Sequence, residues 1–162
     1  MASGNTLLVF GPMSNQPPAT NYPALVSRNA HLVLSFNDAT AQSAQFQGVM
    51  PRAYANGGIS CVIAWAADTA TTGNVVWGIS LERHRPGTLG TDSFGSEFTT
   101  TGAAPGTAGN LAYTTIALTD GTQMNSVVSS DHFRVKLRRV AADGSDTMTG
   151  NAHAIALEIR ET

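Results

Sequence analysis

Charge is scarce in this chain: Asp, Glu, Lys and Arg make up 12% of its 162 residues, about half the usual share of ~25%. One basic residue is a lysine, Lys136. A formal net charge of −2 gives no long-range attraction to nucleic acid or to an anionic membrane surface, so neither is expected as a partner. Cysteine is almost absent. Cys61 stands alone, which excludes an internal disulfide and any zinc knuckle built on cysteines. Long apolar runs are missing too: no stretch approaches the ~18 residues of a membrane span, and MASGNTLLVF has no basic segment leading into a secretory core. No Asn-x-Ser/Thr acceptor occurs. Together these predict a protein that is soluble when made in a bacterial host, with no disulfide framework and no glycosylation.

Helical signals are lacking as well. There are no heptads, no internal repeat and no amphipathic helix; AQSAQFQ, around Gln42, is the most helix-tolerant stretch and it is brief. What fills the chain is Gly, Thr, Ser and Ala punctuating short β-like pieces: residues 30–37, 44–50, 58–67, 74–83, 110–119, 122–130, 132–140 and 152–161. Asn56-Gly57-Gly58, Gly73-Asn74, Asp120-Gly121, Asp143-Gly144 and Gly150-Asn151 supply the turn residues between them. The reading is an all-β, jelly-roll-like antiparallel β-sandwich of about eight strands. Residues 27–162 form the sandwich and residues 1–26 an extended N-terminal arm, because the prolines at 12, 17, 18 and 23 forbid helix and central strand.

Alternation assigns faces. In HFRVKLRRV, Phe133, Val135 and Leu137 point one way and Arg134, Lys136 and Arg138 the other, toward solvent or a partner. GISCVIAWAADTATTGNVVWGISLER reads as a central hairpin whose strands are apolar on both sides, with Trp65, Trp77 and Cys61 as core fillers. The more charged strands are expected nearer an edge or an outer surface. Between Arg85 and Asn110 a long Gly/Thr/Pro/Ala stretch is expected to be an exposed contact loop, carried by Thr88, Leu89, Asp92, Phe94 and Phe98.

Catalytic patterns fail one by one, and no enzyme is expected. Asp131 and His132 are neighbours that face opposite sides of a strand. His31 and His153 could approach each other but lack a third ligand, unless Asp131 joined them. Cys61 is flanked by Val62, Ile59 and Ile63, a setting for an inert thiol rather than a nucleophile. GTLGTDSFG has no following Lys-Ser/Thr, and GISC and GISL lack the second glycine of a nucleophile elbow. DGSDTMTGN offers Asp143, Ser145, Asp146 and Asn151 as oxygen donors without calcium-loop spacing or a closing Glu. Nothing places two of Glu82, Glu97 and Glu158 at the separation sugar hydrolysis needs. No cofactor or metal is implied.

Gly73, Val75 and Trp77, then Asp131, Phe133, Val135, Arg138 and Arg139, then Asp146-Thr147 before the strand from Ala152 to Ile159, form a pattern over residues 51–161. It resembles a group of tailed-bacteriophage virion structural proteins with jelly-roll-like sandwiches. The resemblance implies a capsid cement (decoration) protein on the outer head surface, partnered by the major capsid protein or neighbouring virion subunits and forming a trimer or dimer. In that setting Leu7, Leu8, Val9 and Phe10 would dock on the neighbour. A receptor- or glycan-binding module of a tail fibre or baseplate is the alternative.

Overall fold

The computed structural model describes residues 4–162, which form ten strands in two antiparallel sheets. The strands are β1 (Thr6–Phe10), β2 (Ala24–Arg28), β3 (His31–Phe36), β4 (Gln42–Val49), β5 (Ile59–Ala67), β6 (Asn74–Arg83), β7 (Phe98–Ala103), β8 (Leu111–Leu118), β9 (His132–Arg139) and β10 (Ala152–Glu161). One sheet runs β2-β3-β10-β5-β8, with β1 also paired to β10; the other runs β4-β9-β6-β7. The expected all-β, jelly-roll-like sandwich is the observed architecture.

The GISC…SLER stretch is not a hairpin. β5 pairs with β10 and β8, whereas β6 pairs with β9 and β7, so the connector between them crosses from one sheet to the other. The physical reason lies in the large residues. Ile59, Cys61, Ile63 and Trp65 must bury against Val75, Trp77, Ile79 and Leu81, and two such faces bury each other only from opposed sheets. Trp65 and Trp77 meet edge-to-face at 5.9 Å, and Phe36 meets Trp77 at 5.2 Å. The Trp65 indole N–H, out of water, is satisfied by Thr114 Oγ1 at 2.9 Å. Gly73, at φ +93, packs its Cα against Met148 so closely that a Cβ would lie 2.7 Å from the Met148 Cα.

Three further expectations are corrected. Of the two places expected for the charged strands, the edge is not the one they take: β9 lies between β4 and β6, and β10 between β3 and β5. Their charges sit on outward faces, so the inward alternation is undisturbed. TQMNSVVSS is no strand; it forms a 3-10 turn at Thr122–Met124, and Asn125 and Ser126 then take positive φ, which breaks an extended run. The N-terminal segment is not a free arm, because β1 pairs with β10 from Thr6 to Phe10. Phe10 is buried in this chain's own core and stacks on Phe46 at 5.4 Å, with Leu7 and Leu8 packed beside it. Only Val9 of the four residues expected to dock on a neighbour is exposed.

One buried ion pair ties the layers together. Arg139, at the end of β9, is fully buried. Its Nε and Nη2 donate to the two carboxylate oxygens of Asp146 at 3.1 and 2.7 Å. Its remaining N–H groups reach the carbonyls of Met148, Gly150 and, at 3.4 Å, Phe36 of the opposite sheet. Asp146 also accepts the Val76 N–H at 3.0 Å.

Removing one partner leaves the other charge buried and unmatched, so Asp146→Asn is expected to cost about 3–5 kcal/mol in urea unfolding. Trp65→Ala should cost about 3–5 kcal/mol through its cavity. A loss under about 1 kcal/mol in either variant would show that these side chains do not hold the sheets.

Candidate functional site

The outer face of the four-stranded sheet carries a polar row that the strand register builds. Gln47 of β4 lies opposite Arg134 of β9, and Arg134 opposite Glu82 of β6. The next row is Gln45, Lys136 and Ser80, and the one after it Ser43, Arg138 and Gly78. Alternation in HFRVKLRRV had already set the three basic residues on one face.

The long segment after β6 folds back over this face. A Cβ at Gly78 would lie 2.7 Å from the Glu97 carboxyl carbon, so the glycine allows the covering segment to lie flat. Glu97 then accepts from Arg138 at 2.6 Å, and the Phe94 ring sits 5.2 Å from the Arg134 guanidinium carbon and 4.9 Å from the Lys136 ammonium.

Where the cover ends, a groove of about 350 Å³ stays open, lined by Gln16, Gln47, Glu82, His84, Leu89 and Arg134. Its floor is fixed. Glu82 is almost wholly buried and takes Arg134 Nη2 on both carboxylate oxygens at 2.9 and 2.7 Å, while Gln45 accepts from Arg134 Nη1 at 3.2 Å. His84 Nε2 stands 3.4 Å from Glu82. The walls are free to engage a ligand: Gln16 and Gln47 are exposed, and neither side-chain amide has a hydrogen-bond partner among the described residues. Leu89, 70% exposed, forms an apolar rim.

Of the five residues expected to carry the contact, Leu89 is the exposed one, and Thr88, Asp92, Phe94 and Phe98 are half-buried. Thr88 and Asp92 are struts within the loop: Asp92 accepts the Arg85 backbone N–H at 2.9 Å and the Thr88 hydroxyl at 3.0 Å. The Arg85 N–H, first of all, holds the Asp92 carboxyl below its usual range, with the Thr88 and Arg85 side chains adding to it. Phe94 lies against two cations, and Phe98, half-buried against the core, begins β7.

Other candidates are dispersed. His153 lies on the outer face of the larger sheet, 3.3 Å from Arg28, and Asp131 is paired to Arg83 at 2.7 Å beside the other sheet. Asp146 is engaged by Arg139, and Asp143 accepts the Ser145 N–H, so the DGSD turn is closed on itself. No group of three or more His, Cys, Asp or Glu side chains able to hold a metal occurs among the described residues. Glu82, Glu97 and Glu158 each pair with an arginine. Burial pushes the Cys61 thiol up to about 12. At pH 8 a thiol reagent should leave the native chain unlabelled and label the unfolded chain fully; rapid native labelling would contradict this burial.

No protein-family model and no curated protein matches the sequence. Several solved structures share the fold. A module described as Xyl-CBM35, in complex with a disaccharide containing glucuronic acid, is 12% identical with a TM-score of 0.54, over 94% of this chain and 91% of that one. The CBM22-2 xylan-binding domain of Paenibacillus barcinonensis Xyn10C is 13% identical with a TM-score of 0.52, over 92% of each chain. An exo-β-1,3-galactanase from Phanerochaete chrysosporium is 10% identical with a TM-score of 0.52; the match covers 98% of this chain and 29% of that enzyme. At these identities the likeness is one of fold: the chain is built as the jelly-roll β-sandwich of carbohydrate-binding modules.

Proposed function

We propose that this chain is a non-catalytic glycan-binding module whose ligand lies across Gln47, Arg134 and Glu82 in the groove beside Leu89. The observation that carries the reading is the fixed polar row on the groove floor with two unengaged amides in its walls. A sugar presents adjacent hydroxyls, each both donor and acceptor. Side chains with paired acceptors or forked donors (carboxylate, amide, guanidinium) meet two such hydroxyls at once. Leu89 offers an apolar surface to the C–H side of a ring. Fold likeness to xylan- and uronate-binding modules supports the class of ligand, as an analogy of architecture.

The resemblance to tailed-phage virion proteins rests on residues that this fold uses structurally. Trp77 fills the core, Arg139 and Asp146 tie the layers, and Asp131 pairs with Arg83. A receptor-binding module of a tail fibre or baseplate accommodates a glycan groove; a cement role on the head shell has no feature of the molecule behind it.

Calorimetric titration against neutral and uronate-bearing oligosaccharides tests the reading. Gln47→Ala should weaken binding about five- to tenfold, the worth of roughly one hydrogen bond of 1–1.5 kcal/mol. Its thermal stability should be unchanged, because the side chain is exposed. No binding to any glycan by the native chain, or full affinity in the combined Gln16→Ala/Gln47→Ala variant, would overturn it.

A further inference from the structure

The four-stranded sheet ends in the edge strands β4 and β7, and the six-stranded sheet in β2, β8 and β1, the last paired with β10 alone; the molecule treats these edges differently. β7 and β8 lie against each other along one side of the sandwich, so closely that a Cβ at Gly102 of β7 would lie 2.2 Å from Thr114 Oγ1 of β8. On the other side, the proline-rich segment plugs the edge of β4. The Gln16 N–H donates to the Gln45 carbonyl at 2.7 Å, the Gln45 N–H to Asn15 Oδ1 at 3.0 Å, and the Ser43 N–H to the Asn21 carbonyl at 2.9 Å. β2, in the other sheet, has no such plug and pairs with β3 alone.

Hairpin geometry fixes which groups β2 leaves open. Arg28 and His31 flank a two-residue turn, Asn29-Ala30, with φ of 47 and 63 at its two residues, and so form the hydrogen-bonded pair next to the turn. Hydrogen-bonded and non-hydrogen-bonded pairs then alternate. Arg28, Val26 and Ala24 bond to β3, and the N–H and C=O groups of Leu25 and Ser27 point outward from the sheet. No described residue guards them. ALVSR has no internal proline and a regular register without a bulge, and its one charge, Arg28, is held by Asp68 at 2.9 Å. Beside the strand lies an apolar depression of about 260 Å³ lined by Pro12, Met13, Pro17, Tyr22, Pro23 and Leu25 among others.

We propose that β2 is the seam of a two-fold dimer, in which it pairs antiparallel with β2 of a second copy in a register centred on Val26. Of the two-fold registers, this one pairs the open groups of both Leu25 and Ser27, whereas one centred on Leu25 or on Ser27 pairs a single residue with its own copy. Leu25 meets Ser27 of the second copy and Ser27 meets its Leu25, giving four backbone hydrogen bonds from the four donors and acceptors that point outward on each strand pair. Cross-strand order then extends Leu34 and Leu25 of one copy into Ser27 and Leu32 of the other, covering the exposed Leu25 and Leu32 of both. The second hairpin tip reaches the Met13 and Tyr22 depression. The two six-stranded sheets become one continuous sheet. This contact is separate from the glycan groove, which lies on the other sheet.

The full chain should sediment at twice the 16.8 kDa of one copy. Leu25→Pro removes one outward N–H without touching the bonds to β3, a substitution that edge strands tolerate, and should halve the mass while the monomer keeps the native circular-dichroism spectrum and loses the concentration dependence of the thermal midpoint. Val26→Cys places two thiols at the symmetry axis, in a non-hydrogen-bonded pair with Cα atoms about 4.5 Å apart, within disulfide reach of about 4.4–6.8 Å. Buried Cys61 contributes no competing bridge. V26C should therefore oxidise to a covalent dimer, and this result stands even where L25P does not fold. A native monomer at the highest soluble concentration, a dimer that persists in folded L25P, or failure of V26C to cross-link would each overturn the proposal.

Discussion

The structure depends on Arg139. A guanidinium taken out of water carries five N–H donors that must all be matched, and here every one is: two face Asp146 and the others face the carbonyls of Met148, Gly150 and Phe36. The carbonyls come from the connection into β10 and from β3, whereas Arg139 itself ends β9 of the opposite sheet. One side chain thus fixes a turn and the spacing of two layers. Asp146, by accepting the Val76 N–H as well, carries the same constraint onto β6. Because β6 is held there, its outward residue Glu82 meets Arg134 at a fixed height.

That fixed height separates the two outer faces. On the four-stranded sheet, charges are paired across strands and then roofed by the segment that carries Phe94 and Glu97, leaving a groove only where the roof stops. Preorganisation follows: Glu82 and Arg134 hold each other in place, so a ligand does not have to immobilise them. On the larger sheet, Ala64 of β5 lies opposite the exposed Tyr113 of β8. Its distinctive feature lies at its margin instead, in the unplugged edge of β2. The proposed glycan groove and the proposed dimer seam therefore lie on different sheets and can be perturbed independently.

Much of this was legible in the sequence. Strands 31–36, 59–67, 74–83, 132–139 and 152–161 fell within one or two residues of the expected runs, because alternation and Gly or Asn turns act locally. Pairing was not legible. The runs on either side of Asp68–Gly73 look like hairpin arms, and only their shared large residues, Trp65 and Trp77, argue that they oppose each other across the core. TQMNSVVSS carries strand-forming valines, yet Asn125 and Ser126 adopt left-handed backbone under tertiary control. The arm was misjudged for a similar reason: proline at residues 12–23 says nothing of LLVF before it, which finds β10 more than a hundred residues away. Of the groove, the basic face of β9 was visible, and the one acid in NVVWGISLER hinted at a partner for it. Gln16, Gln47 and His84 join them only through folding.

The most direct test of the account is a map of backbone amide shifts while oligosaccharide is added to the full chain. The account predicts that saturable shifts concentrate at Gln16, Gln47, Glu82, His84, Leu89 and Arg134, while residues of β5 and β8 on the opposite sheet stay still. Shifts confined to the face around Ala64 and Tyr113, or no saturable shifts with any oligosaccharide, would contradict it.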